Sequence, residues 1–353
     1  MLPDFNRQTV IRYLKARGRS QYDLFFLARR VREAVFGKRV HFRGLIEFSN
    51  LCQNDCFYCG IRKGNKKIER YQMNLSEIEK TVDFTARANY GSVVFQSGEI
   101  KTKDWQNYLL KIVRLTQKKH PQLGITVSCG EQSYEFYKEL RKAGADRYLL
   151  RIETANRKIY RKLHPHGMSW QKRFQCLKWL KKLEFQVGTG IMVGLPGQTL
   201  DNLVDDFIFF KENEFDMYGL GPYVIHENTP LVTSRVKKDW QKNKNDIFNL
   251  TLNFLALLRI FFPTANIAAA TALDVFHPLG RIKALQIGAN VIMPSVTPQN
   301  YRQNYLLYQN KPCLDEDARK CLNCLTYKIK AAGLKPVFGE QGNSPFYYQR
   351  IYG

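Results

Sequence analysis

Short apolar runs alternate along the chain with longer segments in which apolar residues recur at helical spacing. Apolar runs that are rich in β-branched and aromatic residues predict strands, and their alternation with helices predicts parallel βαβ units. Eight such strands are predicted, at residues 45–49, 92–96, 124–128, 147–152, 187–193, 217–223, 266–270 and 290–293. We therefore expect an α/β protein built as a (β/α)8 TIM barrel.

The segments outside the eight βα units predict further helices and a tail. Two helical patterns, at about 7–17 and 22–36, precede the first strand. Ser76 and Glu79 have the spacing of a capping box, which predicts the start of the helix after the first strand. On this basis the chain divides into an N-terminal helical segment, a barrel and a C-terminal extension, at residues 1–40, 41–310 and 311–353.

Composition and the N-terminal residues suggest where the protein acts. Hydrophobic residues make up 44% of the 353 residues, and no stretch approaches the roughly 20 apolar residues that a membrane-spanning helix needs. The N-terminal stretch carries scattered charges and no apolar core of a signal peptide. We therefore expect a cytoplasmic protein without a membrane partner. In that compartment the eight cysteines are expected to be metal ligands or free thiols and not disulfides.

The balance of charge is strongly basic. The chain holds 55 Lys and Arg against 31 Asp and Glu, which gives a net charge of +24. A basic surface attracts polyanions, but these residues are spread along polar segments, so a solvated surface is the first interpretation. Steering of an acidic electron-donor protein is the second. Nucleic acid is the least favoured partner, because no appended RNA-binding module is visible.

The strongest chemical signal is the segment CQNDCFYCG, residues 52–60, just after the first predicted strand. It places Cys52, Cys56 and Cys59 within eight residues. A structural zinc ion needs four ligands, and the only histidine nearby, His41, lies on the far side of the first strand. A cubane iron–sulfur cluster also takes four thiolates, so three cysteines would leave one iron open for chemistry.

This spacing, with the aromatic Tyr58 before the third cysteine, resembles the signature of the radical S-adenosylmethionine (SAM) superfamily. The resemblance implies that the cysteines hold a [4Fe–4S] cluster, that SAM chelates its open iron, and that an electron cleaves SAM to methionine and a 5′-deoxyadenosyl radical. The residues that it implies for SAM binding are Tyr58, Gln96, Ser97, Gly98, Ser128, Glu153 and Arg173. The alternatives are a tight turn for Gly98 and a purely structural Arg–Glu pair for Arg173.

Longer strings narrow the resemblance. IEFSNLCQNDCFYCGIR, AGADRYLLRIETAN, MVGLPGQTLDNLVDD and TPQNYRQNY are similar to segments of the [FeFe]-hydrogenase maturase HydE family, and the similarity runs from about residue 40 to 335. Membership would imply a role in assembling the diiron cofactor of hydrogenase, on a small-molecule or organometallic substrate. Arg151 would bind an anionic group of that substrate, and Tyr308 would lie beside it or serve packing alone. The implied partners are other hydrogenase maturases and an electron donor such as flavodoxin or ferredoxin.

A second group of cysteines lies near the C-terminus. Cys313, Cys321 and Cys324 match the spacing of an accessory iron–sulfur site in many HydE proteins, which implies a second cluster, of the [2Fe–2S] type. By chemistry alone, the last two would form a weak redox or zinc pair. Cys129 and Cys176 lack metal-binding spacing and are expected to pack as small apolar residues.

The chain also departs from the family pattern at the expected substrate end. Ile152 stands where the family commonly has a histidine, Ser295 and Val296 replace Asn and Trp, and Asp274 and His277 are newly placed. Two other functions therefore stay open. One is a HydE-like paralogue that acts on another small carboxylate-bearing substrate, as in the amino-acid rearrangement by methylornithine synthase (PylB). The other is an RNA-modifying radical SAM enzyme, which the +24 charge suggests.

Overall fold

The computed structural model describes residues 4–353 as an α/β fold. The strands are β1 (Arg39–Ser49), β2 (Ser92–Ser97), β3 (Gly124–Ser128), β4 (Arg147–Leu149), β5 (Gln186–Thr189), β6 (Met192–Val193), β7 (Met217–Tyr218), β8 (Gly221–Pro222), β9 (Asn266–Ile267), β10 (Val291–Ile292) and β11 (Lys335–Val337). The helices are α1 (Arg7–Leu14), α2 (Gly18–Phe36), α3 (Leu75–Arg87), α4 (Lys103–Lys119), α5 (Tyr134–Ala143), α6 (Arg157–Leu163), α7 (Trp170–Lys182), α8 (Leu200–Asn213), α9 (Ser234–Lys242), α10 (Lys244–Phe261), α11 (Leu273–Phe276), α12 (Gly280–Ile287), α13 (Gln299–Arg302), α14 (Ala318–Ala331) and α15 (Pro345–Tyr352).

Eight of the strands form the predicted barrel. Parallel pairing runs in the order β1, β2, β3, β4, β5, β7 and β9, and β10 pairs with the other side of β1. Hydrogen bonds from Asn290 N to Ile267 O (3.0 Å) and from Ala269 N to Val291 O (2.9 Å) join β9 to β10. These bonds bring the two ends of the sheet together, so the (β/α)8 barrel prediction is confirmed.

Two of the predicted strands are each interrupted once. The stretch 187–193 divides into β5 and β6, and the stretch 217–223 divides into β7 and β8. At the interruption, a β-carbon on Gly190 would stand 1.9 Å from the carbonyl oxygen of Gly219, so the two chains approach closely there. Beyond it, β6 and β8 pair with each other as a separate two-stranded sheet. The apolar pattern does not reveal this break, because both glycines lie inside apolar runs.

The two N-terminal helices pack outside the barrel, against α8, α10 and α12. The second begins four residues earlier than predicted, at Gly18. In the described part of the chain, no helix is both long enough and apolar enough to cross a membrane.

The capping box predicted at Ser76 and Glu79 for the start of α3 is wrong. The cap is Asn74, whose Oδ1 accepts from Glu77 N (2.9 Å), while Glu77 Oε2 accepts from Asn74 N (2.8 Å). Asparagine caps a helix as well as serine does. The helix therefore begins at the capping box of Asn74 and Glu77, two residues earlier than predicted.

The amino end of the barrel is closed by the C-terminal extension of the chain. β11 pairs in parallel with the first residues of β1, and the turn that follows lies across the strand starts. There Arg43 Nη2 and Asn266 Nδ2 donate to Gly342 O (3.1 and 2.9 Å), and Arg147 Nη2 donates to Gln341 O (2.9 Å). We therefore expect the functional site at the carboxyl ends of the strands, where barrels carry their functional loops. The predicted boundaries at 40/41 and 310/311 stay a prediction.

Candidate active site

The three cysteines of the first loop lie at the carboxyl end of the barrel, just after β1. Other loops hold this segment by its backbone. Gln53 N donates to the carbonyl oxygen of Glu99 after β2 (2.8 Å), and Phe57 N donates to that of Leu163, which follows β4 (2.8 Å). The Phe57 carbonyl accepts from Leu231 N after β8 (3.0 Å). Loops from four strands thus meet around the cysteines.

Gly98 lets the second loop approach the cysteines. A β-carbon at this position would stand 2.2 Å from the carbonyl oxygen of Leu51 and 2.6 Å from Cys52 Cβ. The next amide, Glu99 N, lies 3.4 Å from Cys52 Sγ and donates to that sulfur. Glycine is required here for a close backbone approach, so a tight turn alone does not account for it. The contact of this segment with SAM stays a prediction.

The sulfurs of the first loop fit a cluster better than a single ion. In a tetrahedral zinc site with Zn–S bonds of about 2.3 Å, the sulfurs stand about 3.8 Å apart. Among residues 4–353, the one group of three candidate ligands whose donor atoms all lie within 4.8 Å of one another is elsewhere in the fold. The sulfurs of Cys52, Cys56 and Cys59 do not all lie within that distance of one another, which is compatible with thiolates that each bind their own iron. Burial raises the pKa of all three thiols, that of Cys59 to about 12, so a bound metal is needed to hold them as thiolates.

Tyr58, Glu153 and Arg151 form a polar chain beside the cysteines. Tyr58 Oη donates to Glu153 Oε1 (3.4 Å), and Glu153 Oε2 pairs with Arg151 Nη2 (3.0 Å). The same Arg151 nitrogen donates to the carbonyl oxygen of Ile191 (2.8 Å). Glu153 has a φ of 66°, a conformation that costs a non-glycine residue on the order of 1–3 kcal/mol and concentrates at functional sites. Strand alternation predicts Arg151 and Glu153 on one face, and their side chains do meet.

Arg173 lies in a buried pair next to Arg151. Its Nε donates to Glu131 Oε1 (2.7 Å), and its Nη1 donates to the carbonyl oxygen of Arg151 (2.7 Å). Glu131 N in turn donates to Glu99 Oε2 (2.7 Å). These bonds leave Arg173 Nη2 for a ligand, so a structural pair and SAM binding are compatible. Glu99 and Glu131 end the strings QSGE and SCGE, which follow the second and third predicted strands, but neither is among the predicted SAM ligands.

The other predicted SAM ligands lie at the ends of β2 and β3. Gln96 and Ser128 are neighbours in the strand register, and Gln96 Nε2 donates to Tyr305 Oη (3.3 Å). Ser97 folds back on its own backbone, since its Oγ donates to the carbonyl oxygen of Gly98 (2.7 Å). Their roles toward SAM stay predictions.

Glu47 and Lys311 form a buried ion pair that the sequence analysis missed. Glu47 lies on β1 and is 1% exposed. Its Oε1 is 2.5 Å from Lys311 Nζ, which also donates to the Tyr305 carbonyl oxygen (3.0 Å), and its Oε2 has no partner among the described residues. Tyr308 lies nearby, and burial together with the Glu47 charge raises the pKa of its hydroxyl. The sequence does carry one signal that could have identified Glu47, namely an acidic residue inside the apolar run LIEFS.

This arrangement of strands, cysteines and loops matches known proteins. The model of the radical SAM superfamily matches residues 46–210, which include the three cysteines. Over 336 residues the chain is 42% identical to the [FeFe] hydrogenase maturase subunit HydE of Thermotoga maritima, covering 94% of this chain and 92% of that protein. The chain belongs to the HydE family. It is therefore a radical SAM iron–sulfur enzyme, as the resemblance of its motifs predicts.

More distant proteins share the barrel of this HydE family member. The chain is 25% identical over 316 residues to 3-methylornithine synthase of Methanosarcina acetivorans, covering 89% of this chain and 85% of that protein. The crystal structure of methylornithine synthase (PylB) has a TM-score of 0.80 at 24% identity, over 96% of this chain and 95% of that one. The structural likeness shows the fold.

Three of the departures from the HydE pattern affect packing. Ile152 and Val296 are 0% and 3% exposed and belong to the continuous apolar core. Val296 Cγ2 lies 3.4 Å from the place that a β-carbon on Gly44 would take, on the side of β1 that faces α3. Asp274 Oδ2 pairs with Arg281 Nε (2.5 Å). These three departures do not by themselves indicate another substrate.

The second cysteine group of this HydE family member lies in the C-terminal extension, around the start of α14. Donor atoms of Cys313, Glu316 and Cys321 lie within 4.8 Å of one another, and Cys324, one turn further along α14, is not part of this group. The Cys321 thiol and Arg281, whose Nη2 is 3.8 Å from Cys313 Sγ, lower the pKa of Cys313 below its ordinary value. The fold thus brings two of the three predicted ligands together and adds a carboxylate.

Proposed function

We propose that this protein acts as a HydE-type maturase: it cleaves SAM reductively and uses the 5′-deoxyadenosyl radical in assembling the diiron cofactor of [FeFe] hydrogenase. The observation that carries the proposal is the 42% identity to the Thermotoga maritima maturase subunit, which runs through 94% of the chain. Similarity that extends far beyond the cysteine loop supports a shared substrate as well as a shared cofactor.

We assign the [4Fe–4S] cluster to Cys52, Cys56 and Cys59. When bound, it supplies the electron that breaks a carbon–sulfur bond of SAM. Tyr58 and Glu153 present a hydroxyl and a carboxylate beside it, and Arg173 keeps one guanidinium nitrogen for the SAM carboxylate. The closed amino end of the barrel limits the access of water to the reactive site.

Arg151 is assigned to the anionic group of a small substrate, with Tyr308 beside it. The guanidinium pairs with Glu153 through Nη2, while its buried Nε has no partner in the part of the chain that is described. A buried donor without a partner costs free energy that a ligand can recover. Because the arginine fork matches a carboxylate, the substrate is an amino-acid-derived or organometallic small molecule and not a macromolecule.

A second cluster is assigned to Cys313, Cys321 and Cys324. Two of these sulfurs already lie close together, with Glu316 beside them. A [2Fe–2S] cluster divides its ligands between two irons, so the cysteine one turn away can serve the second iron. The position of this site in the C-terminal extension predicts that SAM cleavage does not depend on it.

The partners are assigned from the HydE resemblance. They are the other hydrogenase maturases and an electron donor of the flavodoxin or ferredoxin class. The location assigned on the same basis is the cytoplasm.

The test is a cell-free maturation of [FeFe] hydrogenase in which this protein replaces the HydE component. The protein is reconstituted anaerobically with iron and sulfide and supplied with SAM. We expect hydrogen evolution from the matured hydrogenase, and none when Cys52, Cys56 and Cys59 are all alanine. SAM cleavage without hydrogenase activation would contradict the maturase function. In that case, turnover of an amino acid would favour the paralogue, and modification of tRNA would favour the RNA-modifying enzyme.

A further inference from the structure

We propose that the basic surface around the cysteine loop is the docking site of an acidic protein that delivers electrons to the cluster. The proposal rests on the radical SAM function above, which needs an electron from outside the chain. Three segments form the surface, here called the basic rim: residues 53–70, 156–169 and 226–244. Each segment contributes part of the wall around the first-loop cysteines.

The three segments of the basic rim meet at Phe57, the residue after the second cysteine. Its N–H donates to the Leu163 carbonyl (2.8 Å), and its carbonyl accepts from Leu231 N (3.0 Å). Tyr58, Leu163 and Trp240, one from each segment, also pack in one apolar cluster. The rim is therefore a single surface, although its segments are far apart along the chain.

Positive charge is concentrated in the basic rim. Its 51 residues hold 14 Lys and Arg against four Asp and Glu, so the rim carries +10 of the net +24. If the net charge were distributed evenly over the 353 residues, the rim would carry a net charge of between +3 and +4. The interpretation of an evenly spread, merely solvated charge therefore does not describe this surface.

Most of the charge on the rim is available to a partner. Three of its four acidic residues are already paired within the rim, Asp55 with Arg62 (2.5 Å), Glu227 with Lys237 (2.6 Å) and Asp239 with Arg235 (3.8 Å). The segment 156–169 contains no acidic residue at all. Exposed basic side chains that form no ion pair with any residue from 4 to 353 include Lys63, Lys66, Lys67, Lys158, Arg161 and Lys162.

The basic rim also lies where an electron has to arrive. Cys56 Sγ is 3.9 Å from the sulfur of Met168, which belongs to the second segment. The residues Cys52, Cys56 and Cys59 are partly exposed. Complementary charge accelerates association and orients the partner, so an acidic donor would dock against the loop that holds the cluster. The donor loses one electron, the cluster gains it, and no covalent bond of this chain changes.

An acidic protein fits the basic rim better than RNA does. Proteins that bind single-stranded nucleic acid combine basic charge with exposed aromatic rings on which bases stack. Over residues 4–353, none of the large apolar side chains that are exposed lies in the rim. The rim thus offers charge without a stacking platform.

The test compares two charge-reversal variants of the reconstituted enzyme. The rim variant carries Lys66→Glu, Lys67→Glu, Lys158→Glu and Lys162→Glu. The control variant makes the same change in net charge on exposed helix faces of α3, α4 and α5, with Lys80→Glu, Lys111→Glu, Arg114→Glu and Lys138→Glu. Binding of an oxidised flavodoxin, an acidic electron-transfer protein, is measured by isothermal titration calorimetry in about 25 mM and about 200 mM NaCl. SAM cleavage is measured with reduced flavodoxin and, separately, with dithionite.

We expect the rim variant to bind flavodoxin at least about tenfold more weakly in low salt, and the control variant to stay within about twofold of the wild type. The difference should shrink in high salt, because ions screen exposed charges. With reduced flavodoxin the rim variant should release 5′-deoxyadenosine more slowly. With dithionite it should match the wild type.

Several outcomes would overturn the docking proposal. These are unchanged flavodoxin binding by the rim variant, an equal loss in the control variant, a loss of cleavage with dithionite as well, or weakened tRNA binding with unchanged flavodoxin binding. A wild-type protein that cleaves no SAM with dithionite would contradict the proposed function, while the binding measurement would still decide the docking.

Discussion

The two groups of cysteines are built in different ways. The loop that begins at Cys52 is hydrogen-bonded through its backbone to loops after three other strands, and Gly98 permits the close approach of the loop after β2. Cys313 and Cys321 lie in one continuous stretch of the C-terminal extension, and Arg281 links that stretch to the segment after β9. The first group is therefore part of the barrel end, whereas the second lies in the C-terminal extension outside the eight strands.

This difference shows what cysteine spacing does and does not report. Each group ends in a C-x-x-C pair, so spacing alone makes both candidates for metal binding. The surroundings separate them. The first group stands among a tyrosine, two arginines and three glutamates supplied by several loops, whereas the second has Glu316 and Arg281 beside it. Four experiments test this contrast.

The largest effect is expected at the first group. Replacing Cys52, Cys56 and Cys59 together with alanine should lower 5′-deoxyadenosine release by at least about a thousandfold, because no thiolate remains to hold the cluster. The release is measured by chromatography after anaerobic reconstitution and reduction with dithionite. The matched control is Cys176→Ala, which removes a core thiol without metal spacing and should keep cleavage. Substantial release by the triple variant would contradict the assignment.

The next effect is expected at the substrate end of the same barrel. Arg151→Lys keeps the charge but loses the two-pronged donor, so substrate turnover should fall about 10- to 100-fold while uncoupled SAM cleavage stays within about threefold. Both are measured in the same reaction, from product and from 5′-deoxyadenosine. Arg114→Lys, on the exposed face of α4, is the control. Normal turnover of a small substrate by the Arg151 variant, or an RNA substrate, would rule out this role.

A third test concerns the support of the first group from α8. Asp206 is fully buried, and its Oδ1 accepts from Thr154 Oγ1 (3.0 Å) and from Ala155 N, which belong to the two residues after Glu153. Burial raises the pKa of Asp206 from 3.8 to about 7. Because the folded state binds this proton more tightly than the unfolded state does, protonation of Asp206 stabilises the fold. This contribution to the free energy of unfolding is fully present below pH 3.8 and is lost as the pH rises through about 7.

Asp206→Asn removes that pH-dependent loss. Relative to the wild type, the free energy of unfolding of the variant should therefore rise by on the order of 2–3 kcal/mol between about pH 5 and about pH 8. Urea unfolding at the two pH values measures it. Asp205→Asn, at a neighbouring side chain that is 45% exposed, should show no such trend. Parallel curves for the wild type and the Asp206 variant would show that the carboxyl group titrates normally.

The smallest effect on SAM cleavage is expected at the second group. Replacing Cys313, Cys321 and Cys324 with alanine should lower bound iron from about six to about four atoms per chain, with SAM cleavage within about twofold of the wild type. Iron analysis and the activity assay measure the two quantities. Glu316→Gln and Cys324→Ala, compared singly, show which side chain supplies the further ligand. Loss of cleavage in a folded triple variant would mean that the two groups are not independent.

Features that depend on residues close together in the chain could be predicted from the amino-acid sequence. Apolar periodicity placed all eight barrel strands, because a strand or a helix buries one face at a fixed local spacing. The family was predicted from the spacing of Cys52, Cys56 and Cys59 and from the strings around them, because these ligands come from one short loop. Local reasoning failed where two local signals competed, as at Ser76, or where two glycines came together from different strands, as at the β5–β6 break.

Contacts between residues that are far apart in the chain became visible only in the folded protein. Lys311 reaches Glu47 across 264 positions of the chain, and Arg173 reaches Glu131 from a different βα unit. The basic rim likewise becomes one surface only when three separate segments converge on Phe57. Each of these contacts joins groups whose spacing along the chain carries no information about their distance in space. Their partners are chosen when the barrel closes, because a buried charge or amide without a counterpart in the packed interior costs free energy.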